Sequence, residues 1–218
     1  MSMQTDYAAR KPKGNTTKIA VGIAAAVIVL GAIALDTTVV RIGSDKDVHQ
    51  KVFSPETYGV EQFPKIAADV EKRAVPAAEI GAAAIADKKA AGTKYGVATT
   101  TGPVLPVTFT GVVGERKGNL NEVKVDGLPP EIVIRLQTGP AINGTDLRDA
   151  TGAIQFGQFT NQIEYQDAGS AINNEMKKAA LGSIDADNLT GKTITVTGVF
   201  KLINPKNWLV TPVKVDVK

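Results

Sequence analysis

The sequence predicts a mainly β domain with helices: a small five-stranded barrel, preceded by an N-terminal transmembrane helix and a short helical segment. Three observations predict it. Residues 19–35 carry no charged or polar side chain. From Val104 onward apolar residues recur at every second position, whereas upstream they recur every third or fourth. Two segments share nearly the same letters, Val107-Thr108-Phe109-Thr110-Gly111-Val112-Val113 and Ile194-Thr195-Val196-Thr197-Gly198-Val199-Phe200, each with a glycine in mid-strand. The length, 218 residues, is enough for one domain with a sizeable core.

As a helix, residues 19–35 would extend about 26 Å, and Thr16 and Thr17 before them can lengthen the span by a turn. Arg10, Lys11, Lys13 and Lys18 precede the segment against one acid, Asp6, while Asp36 follows it. The positive-inside rule then places residues 1–18 in the cytoplasm as a basic tail, 19–36 in the bilayer as an anchor, and the rest across the inner membrane. A cleavable signal is the alternative, with Ala32-Ile33-Ala34 as its site, although the apolar run is long for that purpose. Gly22 and Ala26 form a small-xxx-small pair, a weak signal in so alanine-rich a span.

The chain holds 25 Lys+Arg against 22 Asp+Glu, but residues 1–36 account for four of the bases and two of the acids. The exported part is therefore nearly neutral, with 21 against 20. The basic character reports topology and supports no nucleic-acid footprint. No cysteine and one histidine leave no disulfide framework, thiolate nucleophile or multi-histidine metal site. No cofactor motif is present either. Gly191-Lys192-Thr193 lacks the upstream glycine of a phosphate loop and precedes a strand, so it reads as a turn.

Residues 37–53 read as a tether, with a short strand expected at 37–42 and with His49 solvated. Residues 54–98 read as a helical segment packed on the barrel. Ser54-Pro55-Glu56 supplies an N-cap, a proline in the first turn and an acid; Pro64 and Pro76 are expected to open further helices. Ile80 and Ala84 share a face of the last one, which Lys88, Lys89 and Gly92 are expected to close.

Residues 99–218 form the barrel domain. Strands are expected around Val107–Val113, at Val123 and Val125, and at Ile132, Ile134 and Leu136, followed by a helix carrying Ile172, Met176 and Ala180 and stopped by Gly182. The strand containing Gly198 comes next. In the last strand Leu209, Thr211, Val213, Val215 and Val217 alternate against Val210, Pro212, Lys214 and Asp216. Three strands, a helix and two strands is the order of an OB-type barrel. Gly111 and Gly198 suit its sharp coiling, where a side chain would clash.

The connector at 138–165 is long and rich in turn residues and side-chain amides, with turns at Gly139, Pro140 and Gly144. Its candidate binding residues are Arg148, Asp149, Phe159, Asn161, Gln162 and Tyr165, a mixture suited to a polyol or a partner protein. The plainer reading pairs Arg148 with a neighbouring carboxylate and uses the rings to finish the barrel mouth.

The run G-P-A-I-N-G-T-D-L-R-D-A, followed by I-Q-F-G-Q-F-T-N-Q-I-E-Y, resembles the signature of a bacterial domain-of-unknown-function family of predicted periplasmic lipoproteins. F-S-P-E-T-Y at 53–58, K-Y-G at 94–96, L-T-G-K at 189–192 and T-P-V at 211–213 extend the similarity over residues 37–218. The resemblance implies an exported, membrane-attached OB-like domain, often encoded beside sugar ABC-transporter components, with no established activity. Without a cysteine this chain has no residue to acylate, and the transmembrane segment would replace the lipid. The expectation is a non-enzymatic periplasmic module that assists carbohydrate uptake by binding transporter subunits or the sugar. Two alternatives come from other classes. One is a hydrolase using Asp146 and Asp149 across a cleft. The other, suggested by the barrel alone, is a single-strand nucleic-acid binder, against which stand the near-neutral charge and the isolation of Trp208 and Phe109 along the strands.

Overall fold

The computed structural model describes residues 16–36 and 53–218. The strand expected at 37–42 and His49 lie outside the described residues. Helix α1 (Thr16–Asp36) is continuous, and its apolar side chains from Ile19 onward are exposed to solvent. Its length and composition suit a membrane crossing. Residues 53–218 form a separate compact unit.

That unit opens with helix α2 (Pro55–Arg73), where the Ser54 side chain accepts a hydrogen bond from the Thr57 N–H. Pro64 does not open a new helix as expected: it sits inside α2. Proline removes one helical hydrogen bond at a cost of about 3 kcal/mol. Burial of Phe63, Ile66 and Val70 along one face outweighs that loss. Strand β1 (Val75–Pro76) follows, then helix α3 (Ala77–Ala86), which buries Ile80 and Ala84. Lys88, Lys89 and Gly92 do not close α3. Asp87 turns the chain into an extended conformation and caps a further helix, α4 (Lys88–Tyr95), by accepting from the Lys89 and Ala90 N–H groups.

The barrel strands are β2 (Val104–Lys117), β3 (Leu120–Val125), β4 (Val133–Gln137), β5 (Thr193–Lys201) and β6 (Asn207–Val217). Their pairings run β2-β3-β4-β6-β5 and return to β2, with β4 and β6 parallel and the others antiparallel. This circuit has the expected OB-type order. β2 serves two neighbours: residues 104–112 pair with β5, and residues 111–117 pair with β3. β1 runs parallel to β2 at Val107 and Thr108, on a stretch of edge that β3 does not reach.

The two glycines stand where the strands press closest. A Cβ on Gly111 would lie 2.8 Å from Val123 Cγ1, and one on Gly198 would lie 2.9 Å from the Cα of Pro212. The β5–β6 register shifts at Gly198, so β6 carries one extra residue there. That bulge overturns the simple alternation expected for β6. Trp208 and Val210 enter the barrel core, Val213 packs on the helices outside, and Val215 turns inward again.

Two cores result. The first fills the barrel with Phe109, Ile134, Leu136, Ile194, Phe200 and Trp208, and takes in Ile80 and Ala84 of α3. Phe200 and Trp208 stack at 4.2 Å. The second lies between the outer faces of Val104, Val199 and Val213 and two helices, α2 and α6 (Gln162–Met176). Gly59 of α2 lets the helices approach, since a Cβ there would meet the Ala171 backbone at 2.7 Å. In α6, Ile172 and Met176 are buried as expected, and the chain continues through a π-helical turn (Lys177–Leu181) to Gly182.

Gly111→Ala is expected to destabilise the domain by about 1–3 kcal/mol through overpacking at this strand crossing. Urea unfolding should show it, with a matching loss for Gly198→Ala and none of that size for Gly157→Ala, where no atom lies within 4 Å of the added carbon.

Candidate functional site

The 138–165 connector leaves β4 and returns at α6, and buried polar groups bind it to the barrel. Gln137 is fully buried. Its Nε2 donates to Thr211 Oγ1 at 2.7 Å and to the Asn143 carbonyl at 3.0 Å, and its Oε1 accepts from the Asn143 N–H at 2.8 Å. The Gly139–Pro140 peptide is cis; Gly139 and Gly144 have φ of 87° and 88°, a region that favours glycine. Gly139, Pro140 and Gly144 all lie at bends of the chain. Asn173 of α6 donates to the Gly144 carbonyl at 2.9 Å, which ties the loop to that helix.

Helix α5 (Asp146–Asp149) then presents a buried ion network. Arg148 Nε donates to Asp149 Oδ1 at 2.8 Å, and Nη1 donates to the Tyr165 carbonyl at 3.0 Å. The guanidinium also lies 3.6 Å from the centre of the Tyr165 ring. Lys201, at the end of β5, reaches Asp146 Oδ1 at 3.3 Å and Asp149 Oδ2 at 3.7 Å. Thr145 Oγ1 completes Asp149 at 2.8 Å. Two cations and two carboxylates balance, which is the condition for holding four charges away from water. Burial pushes the Asp146 carboxyl above its ordinary 3.8, with Lys201 opposing and Asp149 reinforcing the rise.

The aromatic residues converge as well. Phe159 contacts Phe53, Tyr58 and Tyr165 at ring separations of 5.5, 5.6 and 5.3 Å, and Phe156 meets Tyr165 at 5.7 Å. Burial raises the Tyr58 phenol, partly offset by the nearby Arg148 charge. Phe156 remains half exposed. Asn161 turns out to be an N-cap: its Oδ1 accepts from the Glu164 N–H at 2.9 Å, so this amide is spent on starting α6. Gln162 is exposed in the first turn of that helix.

Of the expected residues, Arg148, Asp149, Phe159 and Tyr165 come together, whereas Asn161 and Gln162 sit at the helix start. Phe53, Tyr58 and Lys201 join them, and the reading of the connector did not reach these. Phe53 and Tyr58 stood in the sequence as the ends of F-S-P-E-T-Y; Lys201 had no local signal, because only barrel closure brings it to Asp146.

Asp149, Arg148 and Tyr165 border a cavity of about 490 Å³ completed by Thr99, Thr100 and Gln155. Asp146 and Lys201 border a different one of about 670 Å³. The two carboxylates thus converge on one ammonium and line separate grooves, an arrangement unlike the opposed carboxyls of a glycosidase. Trp208 and Phe109 are buried in the barrel and present no face for base stacking. Among the described residues no group of His, Asp and Glu side chains is gathered to hold a metal ion.

A family model described as "Predicted periplasmic lipoprotein (DUF2291)" matches residues 23–216. The crystal structure of an OB-fold protein from Thermotoga maritima is similar, with a TM-score of 0.61 and 19% identity over 77% of this chain and 100% of that one. That likeness shows the fold. No curated protein matches the chain.

Two outcomes test the network. Arg148→Ala removes the nearer cation of the buried Asp149 and the donor to the Tyr165 carbonyl, leaving Lys201 alone to balance two carboxylates, and should cost about 3 kcal/mol or more of stability, read as a lowered melting temperature. Asp146 is protonated more readily when folded than unfolded, so its contribution is fully present below pH 3.8 and is lost as pH rises through its raised folded value. Unfolding of wild type and Asp146→Asn across the acidic range should therefore show the wild-type advantage falling as pH rises.

Proposed function

This chain belongs to the DUF2291 family of predicted periplasmic lipoproteins, and we propose that it works as a membrane-anchored periplasmic binding module that assists a carbohydrate ABC transporter. In this reading α1 crosses the inner membrane once, with Arg10, Lys11, Lys13 and Lys18 on the cytoplasmic side and residues 53–218 in the periplasm. The chain has no cysteine to carry a lipid, and α1 takes over the anchoring.

The observation that carries the reading is the 490 Å³ groove beside Tyr165. Its Arg148 is committed to Asp149 and to the Tyr165 carbonyl, and Thr99 and Gln155 donate to the Gly102 and Gly152 carbonyls, so the groove offers a partner or a sugar Thr100, the Tyr165 ring and, packed on that ring beside the groove, the half-exposed ring of Phe156. A hydroxyl and aromatic faces beside a neutralised ion network suit hydrogen-bonding, uncharged ligands or a polar protein loop. The module acts by binding, without catalysis. The resemblance noted in the connector supports a transporter as its companion.

Purification of the full chain in mild detergent should co-recover a sugar-transporter subunit, or calorimetry on the same sample should detect a neutral sugar. Phe156→Ala should weaken either signal without lowering the melting temperature. Recovery of no transporter subunit together with no sugar binding would remove the proposal.

A further inference from the structure

The second groove, of about 670 Å³, lies on the outer surface of β4 and β6, between the 143–146 loop and the chain that leaves β5. Its floor is the parallel pair Arg135 and Leu209, with Asn207 one step along the same face of β6. Asn143 and the Asp146–Lys201 pair stand on its walls.

Arg135 is the unusual member. Directly opposite it on β3 stands Glu122, the partner with which an exposed arginine would ordinarily pair across a strand. No such pair forms. Glu122 lines a separate cavity beside Pro129 and Pro130, while Arg135 lines the groove and its guanidinium has no partner among the described residues. The side chains of Asn143 and Asn207 are likewise exposed and without a hydrogen-bond partner among the described residues. One free guanidinium and two free amides thus converge on one concave surface.

The remaining charges decide the ligand's charge. Lys201 is shared by Asp146 and Asp149, and Arg148 by Asp149, so this network is neutral and offers no spare cation. Arg135 leaves the groove with one net positive charge. A dianionic phosphate would find only one counter-charge there, whereas a carboxylate matches the guanidinium fork two bonds to two. Amides that both donate and accept suit hydroxyl groups.

We propose that this groove binds a small hydroxylated monocarboxylate, of the sugar-acid class, with Arg135 holding the carboxylate and Asn143 and Asn207 the hydroxyls. The site is distinct from the groove beside Tyr165 and shares none of the residues to which the transporter reading was assigned.

Calorimetry on the full chain in detergent, with glucuronate and gluconate as probes and glucose as the neutral comparator, tests the proposal. Saturable binding of at least one acid is expected, weakened by added salt. Arg135→Gln should raise its Kd at least about tenfold, the loss expected for a hydrogen-bonded charge, with an unchanged melting temperature. Asn207→Ala should weaken binding less. No saturable binding of either acid, or acid binding that survives Arg135→Gln, would overturn the proposal; any glucose binding in the groove beside Tyr165 should be unchanged by Arg135→Gln. Transporter co-purification from the Arg135→Gln chain should match wild type, so failure of one reading leaves the other standing.

Discussion

Gly111 has a strand partner on each side, Val125 of β3 on one edge and Ile194 of β5 on the other. At that residue β2 stops being the neighbour of one half of the sheet and becomes the neighbour of the other, which lets five short strands form a circuit. The crossing demands an approach that no side chain would permit, because a Cβ at Gly111 would overlap the Lys124 carbonyl and the Val123 side chain. Gly198 plays the complementary part on β5, where the extra residue in β6 bends that strand. The interior packing of Phe200 on Trp208 and the outer packing of α2 and α6 on Val104, Val199 and Val213 both presuppose this closure.

Closure also builds the charged network. Lys201 belongs to β5 and Asp146 to the connector after β4, and they meet because β5 pairs with β2 and with β6, which in turn pairs with β4. With Lys201 in place, the acids of α5 can be buried, Arg148 can lie flat on Tyr165, and the aromatic group can gather around Phe159. One neutral cluster of four charges therefore separates two grooves of different character: one with the Tyr165 ring and threonine side chains, the other with a free guanidinium and free amides.

Much of this was legible along the chain. The strand order, the mid-strand glycines, the buried stripe Ile172-Met176-Ala180 and the positive φ of Gly139 and Gly144 follow from local rules: period, side-chain volume and backbone freedom. The plainer role of Arg148 was legible too, because an arginine between two aspartates rarely stays unpaired. Local rules misled where packing outweighed them. Pro64 reads as a helix start but is carried inside α2 by the apolar face formed by Phe63, Ile66 and Val70. The amide of Asn161 reads as a binding group but is consumed in capping α6.

By itself, then, the sequence determined an apolar N-terminal helix, the order of the strands and the residues that can tolerate their crossing, because each of these depends on neighbours a few positions apart. Only the tertiary structure decided which charges neutralise one another and which remain free. Lys201 meets Asp146 across 55 positions, and Arg135, unpaired with Glu122 opposite it, lines a groove walled by a distant loop. Coulomb energy and desolvation depend on distance and burial in space, and both are properties of the closed barrel, with no counterpart in the order of the residues.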